Sequence, residues 1–393
     1  MKKINAIALS VLALGAVAAQ GVSAQDDAPK FKFTPSGRIL ADGAVYAPDG
    51  DGFASGVALP DIRLGGKATY GNWTAKLDIG YSFGKVGLKD VYIQYDFNKH
   101  NFLRGGYFVH QFGYQAATSS SFKTAMEAPV SDTYFNATGR NLGVMYVHDK
   151  GPFFAGVSAI VGTKVTDHAN DGGKVTYGGL TRLVWRPIRS DGNIVQVGMS
   201  GWYQTANYPK VEDADRPGHY HAGPGTVNWS AGFPTRVDQV KMLGADVSNA
   251  RGQWKLSPEL ILAKGRFALE SQYYWGDVLR KGMKNYTAQG VYGQLRMLIL
   301  GDRQYGYSSG DAGIALPKPK TFEAVLGYNY TDGYNRAAGI RGGISSDYSV
   351  TLNYYLNKYI TCRLRWSYTN VHKSDVQFDR HVNIIQARIQ FKF

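Results

Sequence analysis

Seven basic side chains offer this chain its most useful chemistry. Arg38, Arg63, Lys76, Arg104, Arg182, Arg365 and Arg388 lie in segments where apolar and polar residues alternate, and each falls on the polar parity. A guanidinium grips phosphate or carboxylate oxygens through two parallel N–H donors, and an ammonium offers the same ligands a compact charge. Facing water in a narrow channel, such groups attract anions and let them leave, whereas a dry cation needs a partner. The chemistry implied is recognition of small anions.

Other candidate chemistry is weaker. His219-Tyr220-His221 could hold a transition metal, but it lies among Pro and Gly in a polar stretch and fits an exposed loop better. Asp49-Gly50-Asp51-Gly52 carries calcium-like oxygens without the spacing or closing Glu of a calcium loop, and fits a surface turn. Gly65-Gly66 and Gly178-Gly179 lack the Lys and Ser of a phosphate loop and fit bending strands. No Gly-x-Ser-x-Gly or His-Glu-x-x-His occurs. Cys362, the single cysteine, falls on an apolar parity and suits a small packing residue. No metal, cofactor or catalytic residue is expected, and the chain is not expected to be an enzyme.

The elements that must position the basic groups follow from periodicity. From Trp73 to Phe83 every odd position is apolar (Trp73, Ala75, Leu77, Ile79, Tyr81, Phe83) and the even ones are polar or Gly. A period of two over about ten residues gives a strand with one apolar and one polar face. The pattern recurs along the chain, separated by short turn signals such as Gly71-Asn72, Ser190-Asp191-Gly192 and Asn357-Lys358. Counted from Gly37 it predicts about sixteen strands, with short turns alternating with longer connections as at the two rims of an outer-membrane barrel. The longest connections are 110–138, between strands five and six, and 205–252, between nine and ten. Residues 301–319 fit less well, being long where a short turn is expected, and Pro258 sits inside the tenth strand, so a strand there could be missed.

Large aromatics near strand ends (Tyr70, Trp73, Tyr81, Tyr328, Tyr330, Trp366 and Tyr368) share the apolar parity, which suits lipid-facing girdles. Composition agrees: 48 Gly and 27 Tyr in 393 residues accompany only 19% charged residues, against roughly 25% in ordinary soluble domains. Lys2 and Lys3, the apolar run from Ile4 to Ala19 and Val22-Ser23-Ala24 form an export signal. The organisation expected is therefore a signal peptide at 1–24, a lead-in at 25–36 and an all-β antiparallel transmembrane barrel at 37–393. The formal charge of +14 favours anionic partners, and its dispersal through alternating segments argues against nucleic acid.

Several stretches resemble the phosphate-selective porin O and P family of Gram-negative outer membranes. They are Gly37 to Asp42, Leu103 to Phe108 followed by Phe112-Gly113 and Thr118-Ser119-Ser120, Gly192 to Gly198, and Leu352 to Asn357 leading into Arg363-Leu364-Arg365. The terminal segment Ile385 to Phe393 also resembles the insertion signal of bacterial barrels. The resemblance implies a homotrimeric sixteen-stranded outer-membrane porin for phosphate and other small anions, whose third extracellular loop folds inward to narrow the pore. By position that loop is 110–138, and it departs from a basic constriction: Lys123 is its single Lys or Arg, against Glu127 and Asp132. A barrel-embedded outer-membrane hydrolase and a closed structural or adhesive barrel remain as alternatives.

With apolar positions facing lipid, the opposite parity lines the lumen, where bases exceed acids by about five charges. A strand tilted about 45° climbs roughly 2.3 Å per residue, which places Lys76, Arg104, Arg182, Arg365 and Arg388 about 10 to 14 Å above the periplasmic rim. Arg365 and Arg388 lie on adjacent strands without an inward acid of their own. That pair is the expected main determinant of anion preference.

Overall fold

The computed structural model describes residues 29–48, 52–136, 139–162 and 175–393. The expected signal peptide and Asp49-Gly50-Asp51 lie outside these residues. Sixteen antiparallel strands close into one barrel. They are β1 Lys32–Pro48, β2 Gly56–Tyr70, β3 Trp73–Ser82, β4 Lys85–Asn98, β5 Asn101–Val109, β6 Arg140–Lys150, β7 Phe153–Val161 and β8 Tyr177–Ser190. The second half comprises β9 Asn193–Thr205, β10 Ala250–Lys264, β11 Phe267–Arg280, β12 Tyr286–Leu300, β13 Thr321–Asn335, β14 Ile340–Tyr355, β15 Ile360–Ser374 and β16 Arg380–Lys392. Closure pairs β1 with β16, from Arg38 opposite Lys392 to Pro48 opposite Val382.

Period-two alternation sets the two faces. Leu64, Leu183, Leu326 and Ile389 are exposed on the outer wall, whereas Gln196, Ser200, Thr351 and Ser367 are buried inside. Outward rings pack in pairs, Trp73 with Tyr95 at 4.8 Å and Tyr203 with Trp254 at 4.5 Å near strand ends, and Tyr328 with Tyr348 at 5.0 Å between centroids midway along theirs. Such rings suit the membrane–water interfaces, and full closure leaves no sheet edge unpaired in lipid.

One detail differs from the sequence-based expectation, and two of its misfits are resolved. Strand β1 begins at Lys32, opposite Thr69, so part of the expected lead-in is already barrel. Pro258 lies within β10 opposite Met199 of β9, while the pairing to β11 steps from Leu256 with Trp275 to Glu259 with Gln272, so the missing donor is accommodated on one edge only. No barrel strand is missed at 301–319. That segment carries the small hairpin Tyr307–Ser308 with Gly313–Ile314, outside the barrel ladder.

The lumen is partly filled by chain. The connection from β5 to β6 carries two short helices, α1 Gly113–Ala117 and α2 Val130–Phe135. It is tied to the inner wall by Gly113 N–H to Ser200 Oγ at 2.9 Å and Gln115 N–H to Gln272 Oε1 at 2.8 Å, so the third loop folds inward. The connection from β9 to β10 forms two hairpins, of which Thr226–Gly232 with Lys241–Ser248 packs against α2 and β14. Phe135, Trp229, Tyr274 and Tyr286 join one buried cluster there, with Phe135 stacked on Tyr274 at 5.6 Å. The other hairpin, Lys210–Asp213 with Arg216–Ala222, is largely exposed and carries His219-Tyr220-His221, with His221 Nδ1 2.5 Å from Asp213 Oδ1.

The face assignment predicts a depth-dependent penalty. Leu183→Arg, midway along lipid-facing β8, should cost about 2–4 kcal/mol of folding stability, and Phe267→Arg at the rim about 0–1 kcal/mol. Urea titration of folding into lipid vesicles measures both, and equal penalties would contradict the assignment.

Candidate functional site

The inward basic residues divide according to what covers them. Over β8 to β16 they lie beneath the inserted segments. Arg182 is wholly buried; its Nε and Nη2 donate to Glu259 at 3.0 and 2.7 Å, and Nη1 and Nη2 donate to the carbonyls of Asp311 at 2.8 Å and Ala312 at 3.0 Å. Arg365 donates to Asp347 at 2.9 Å and to the Pro234 carbonyl at 2.8 Å. Arg388 donates to both oxygens of Asp42 at 2.7 and 2.6 Å, to the Met126 carbonyl at 2.8 Å and to Glu127. Each of these three desolvated arginines thus meets a carboxylate and the carbonyl of an inserted segment, as burial of charge favours.

Arg365 and Arg388 therefore do not lack acids. Asp42 reaches Arg388 because β1 and β16 pair those two residues across the closure, and Asp347 reaches Arg365 from β14. Neither partner is near its arginine in sequence. Lys123 likewise has local work: its ammonium donates to Gln115 O at 2.6 Å and Oε1 at 2.9 Å, with Asp132 at 4.0 Å, binding the third loop to itself.

Along β1 to β6 the basic groups reach the uncovered lumen. Arg63 grips both oxygens of Asp61 at 2.9 Å, and Lys76 lies 2.9 Å from Asp78 and 3.3 Å from Asp90, with about a fifth of each basic side chain exposed. Arg38 is more deeply set, donating to Asp61 at 2.5 Å, Ser121 at 2.6 Å and Ser120 at 2.8 Å. Arg104 donates twice to Gln94, at 3.0 and 2.7 Å, and forms no ion pair among the described residues.

Three more cations join this side. Lys89 turns inward because the β3–β4 register shifts between Leu77 and Ile79, a bulge that strict alternation does not anticipate; its aliphatic stem lies over Gly80, and its charge is in the field of Arg63, Asp61, Arg140 and Arg236. Arg140, at the start of β6, donates to Asp90 at 2.8 Å. Arg236 comes from the tip of the Thr226–Gly232/Lys241–Ser248 hairpin in the β9–β10 connection, the fifth loop, where Nε donates to Glu127 at 2.9 Å and Nη1 lies 3.8 Å from Asp61. That tip is pinned by Tyr46, whose hydroxyl is 2.8 Å from Thr235 Oγ1 and accepts from Asp238 N–H at 3.1 Å. Within this cluster Asp61, Asp78, Asp90 and one side of Glu127 serve six cations, Arg38, Arg63, Lys76, Lys89, Arg140 and Arg236, so positive charge is in excess.

Between the third and fifth loops lies a cavity of about 360 Å³ lined by Glu127, Val130, Phe233, Pro234, Arg236 and Lys241. Burial pushes the Glu127 carboxyl up, but Arg236 and Arg388 outweigh it and hold the group at about 2.

A family model described as phosphate-selective porin O and P matches residues 53–393. No curated protein sequence matches the chain. Among solved structures, an anion-selective porin from Comamonas acidovorans is similar over 93% of this chain and 100% of its own, at 12% identity and TM-score 0.58. The trimer form of OmpT from Vibrio cholerae aligns over 93% and 100% of the two chains at 11% identity and TM-score 0.56. OmpF of Salmonella typhi, in complex with daunomycin, aligns over 95% and 100% at 10% identity and TM-score 0.54. At such identities the likeness is one of fold.

The Glu127 pairing has a pH signature. A depressed carboxyl contributes stability that is fully present above the ordinary glutamate range and is lost as pH falls through its folded value, here about 2. Conductance should therefore hold between pH 7 and pH 4 if the two loops depend on this pairing. Bilayer recording across that range checks it, and Glu127→Gln should loosen the loops at every pH in the range; closure or opening of wild type between pH 5 and 4 would count against the pairing.

Proposed function

From a chain that belongs to the phosphate-selective porin O and P family, and so is a Gram-negative outer-membrane porin for small anions, we propose a specific route and division of labour. Solute descends along the inner wall of β1 to β6, past Arg236, Lys89 and Arg140, then Arg63 and Arg38, then Lys76 and Arg104. The carrying observation is the excess of partly exposed cations on that wall, opposite an inner wall closed off by loops. Water-wetted cations beside low-dielectric walls focus the field and raise local anion concentration without holding the ion too tightly to leave.

In this reading Arg182, Arg365 and Arg388 act as anchors for the inserted segments, and Lys123 braces the third loop. Anion preference then belongs mainly to Arg63, Lys89 and Arg236, which share too few carboxylates high on the path, and to Arg104 below them, which has no ion pair among the described residues. Passage is passive: diffusion down a gradient through a wetted lumen, with no chemical step. The 301–320 connection narrows the lumen from the short-turn side, where Arg182 and Gln196 hold the Ala312 carbonyl at 3.0 and 2.8 Å. The trimer form recorded for the fold-related OmpT supports a homotrimer here.

Two measurements test these statements. Reversal potentials in a chloride gradient should show anion preference that falls several-fold toward neutrality in Arg63→Gln with Lys89→Gln, and less so at high salt because mobile ions screen within about 10 Å at 0.1 M. Replacing the buried pair together, Arg365→Met with Asp347→Leu, should leave the potential unchanged; the reverse ranking would return selectivity to that pair. Silence in wild type would favour the hydrolase or closed-barrel alternatives instead, and cation preference would overturn the anion reading. For assembly, native mass in mild detergent should be three times that of one barrel, and a single-barrel mass would remove the trimer.

A further inference from the structure

The inner wall of β4 and β5 departs from what a conduit for inorganic ions needs. Water-filled lumens are lined by polar groups, yet Tyr92 on β4 and Phe102 and Phe108 on β5 share the inward parity, while their neighbours Ile93 and Leu103 face outward at 58% and 40% exposure. Phe108 is buried with Met145, Val147, Phe154 and Ala312, which explains it as an anchor under the 301–320 hairpin. Tyr92 and Phe102 remain only partly buried at the edge of that cluster. Tyr92 packs edge-on against Phe108 at 5.8 Å between centroids, and Tyr92 and Phe102 both stay half-buried beside the passage.

Arg104 lies among these rings. Its Cζ is 4.1 Å from the Tyr92 ring centroid, 5.1 Å from Phe102 and 5.4 Å from Phe108. The close approach of Tyr92 depends on Gly106 opposite it, which has φ +141° and where a Cβ would come within 2.7 Å of Tyr92 Cα. Nε and Nη2 of Arg104 both donate to Gln94 Oε1, and Gln94 Nε2 donates onward to Asp96 Oδ1 at 2.7 Å. Gln94 thus stands between the guanidinium and that carboxylate. The other nearby acid, Asp90, is taken by Lys76 and Arg140. Nη1 of Arg104 has no hydrogen-bond partner among the described residues and is not a buried orphan, so it is presented to the lumen.

An uncancelled guanidinium with a donor edge toward solvent, set on flat apolar faces, matches a ligand with an anionic head and an aromatic body. We propose that Arg104, Tyr92 and Phe102 form a station for aromatic carboxylates on the periplasmic half of the path, giving the channel a preference among organic anions. The carboxylate takes the Nη1 edge and the ring lies against Tyr92 and Phe102. A small inorganic anion meets the same charge but gains nothing from the rings. This station rests on the anion-porin reading above.

The test uses the full mature protein in planar bilayers, with chloride as the current carrier and benzoate, acetate or inorganic phosphate added on the short-turn side. In wild type, benzoate should reduce chloride current at a concentration roughly three- to tenfold below that of acetate, the factor expected of one good aromatic contact. Tyr92→Leu with Phe102→Leu should erase that difference while leaving acetate and phosphate unchanged, and Arg104→Gln should weaken benzoate and acetate together. If Arg104→Gln does not assemble, Arg104→Lys keeps the charge without the guanidinium donor edge and should weaken benzoate and acetate together by a smaller factor, the benzoate preference remaining. Equal potency of benzoate and acetate in wild type, or benzoate preference surviving the loss of both rings, would overturn the station. Anion preference for chloride in the same recordings separates that result from failure of the porin reading, which cation preference would signal.

Discussion

The structure depends on the cost of placing a guanidinium where water does not reach. Taking such a charge out of water costs several kcal/mol even after relaxation, so each dry arginine requires a carboxylate and further acceptors. Arg182, Arg296, Arg365 and Arg388 meet that requirement in one region of the lumen, Arg363 beside them donates to loop carbonyls within the field of Glu323 and Glu127, and several of the acceptors are carbonyls of inserted loops. Ser121 and Lys123 supply two carbonyls to Arg363, Met126 one to Arg388, Pro234 one to Arg365, and Asp311 and Ala312 one each to Arg182. Removing a loop strands the cation beneath it, and removing a cation takes one donor from the loop above it, as at Pro234, whose carbonyl Gln386 also holds at 2.7 Å. The wall and its inserts are therefore one electrostatic unit.

This division explains how the same residue type serves two purposes in one barrel. Where loops cover the wall, arginine is structural and its charge is cancelled locally. Where the wall of β1 to β6 stays open, cations share too few carboxylates and the remainder acts on mobile ions. Arg236 and Glu127 mark the boundary. Arg236 reaches from the fifth loop to the third-loop Glu127 and toward Asp61 on β2, while Glu127 is also held by Arg388 on β16. The constriction is thus set by contacts among two loops and the barrel seam, rather than by charge within the third loop, whose Lys123 is spent on Gln115.

Packing inside the barrel follows from the same partition. Inserted loops bring apolar side chains into a lumen whose wall is mainly polar, so the wall must answer with apolar residues where they land. Trp202, Tyr274, Tyr286 and Tyr292 do so under the third and fifth loops, and Met145, Val147 and Phe154 do so under Ala312. Tyr92 and Phe102 continue this apolar surface beyond the covered area, beside the open passage.

Much of this was legible in the sequence because a strand's side-chain period is two and lipid tolerates one face only. Alternation from Trp73 to Phe83 or from Ile385 to Phe393 determined which residues face the membrane, how many strands close the barrel and which connections are long, and the parity of Arg182, Arg365 and Arg388 was right. What those arginines meet could not be read locally: Asp42 and Arg388 are 346 residues apart and become neighbours only when β1 closes on β16. Nor does periodicity signal Lys89, turned inward by a bulge, or Arg236, carried inward by a loop. Sequence determined the wall because its pattern is local; tertiary structure alone decided which charges stay wet, because that depends on where three long connections come to rest.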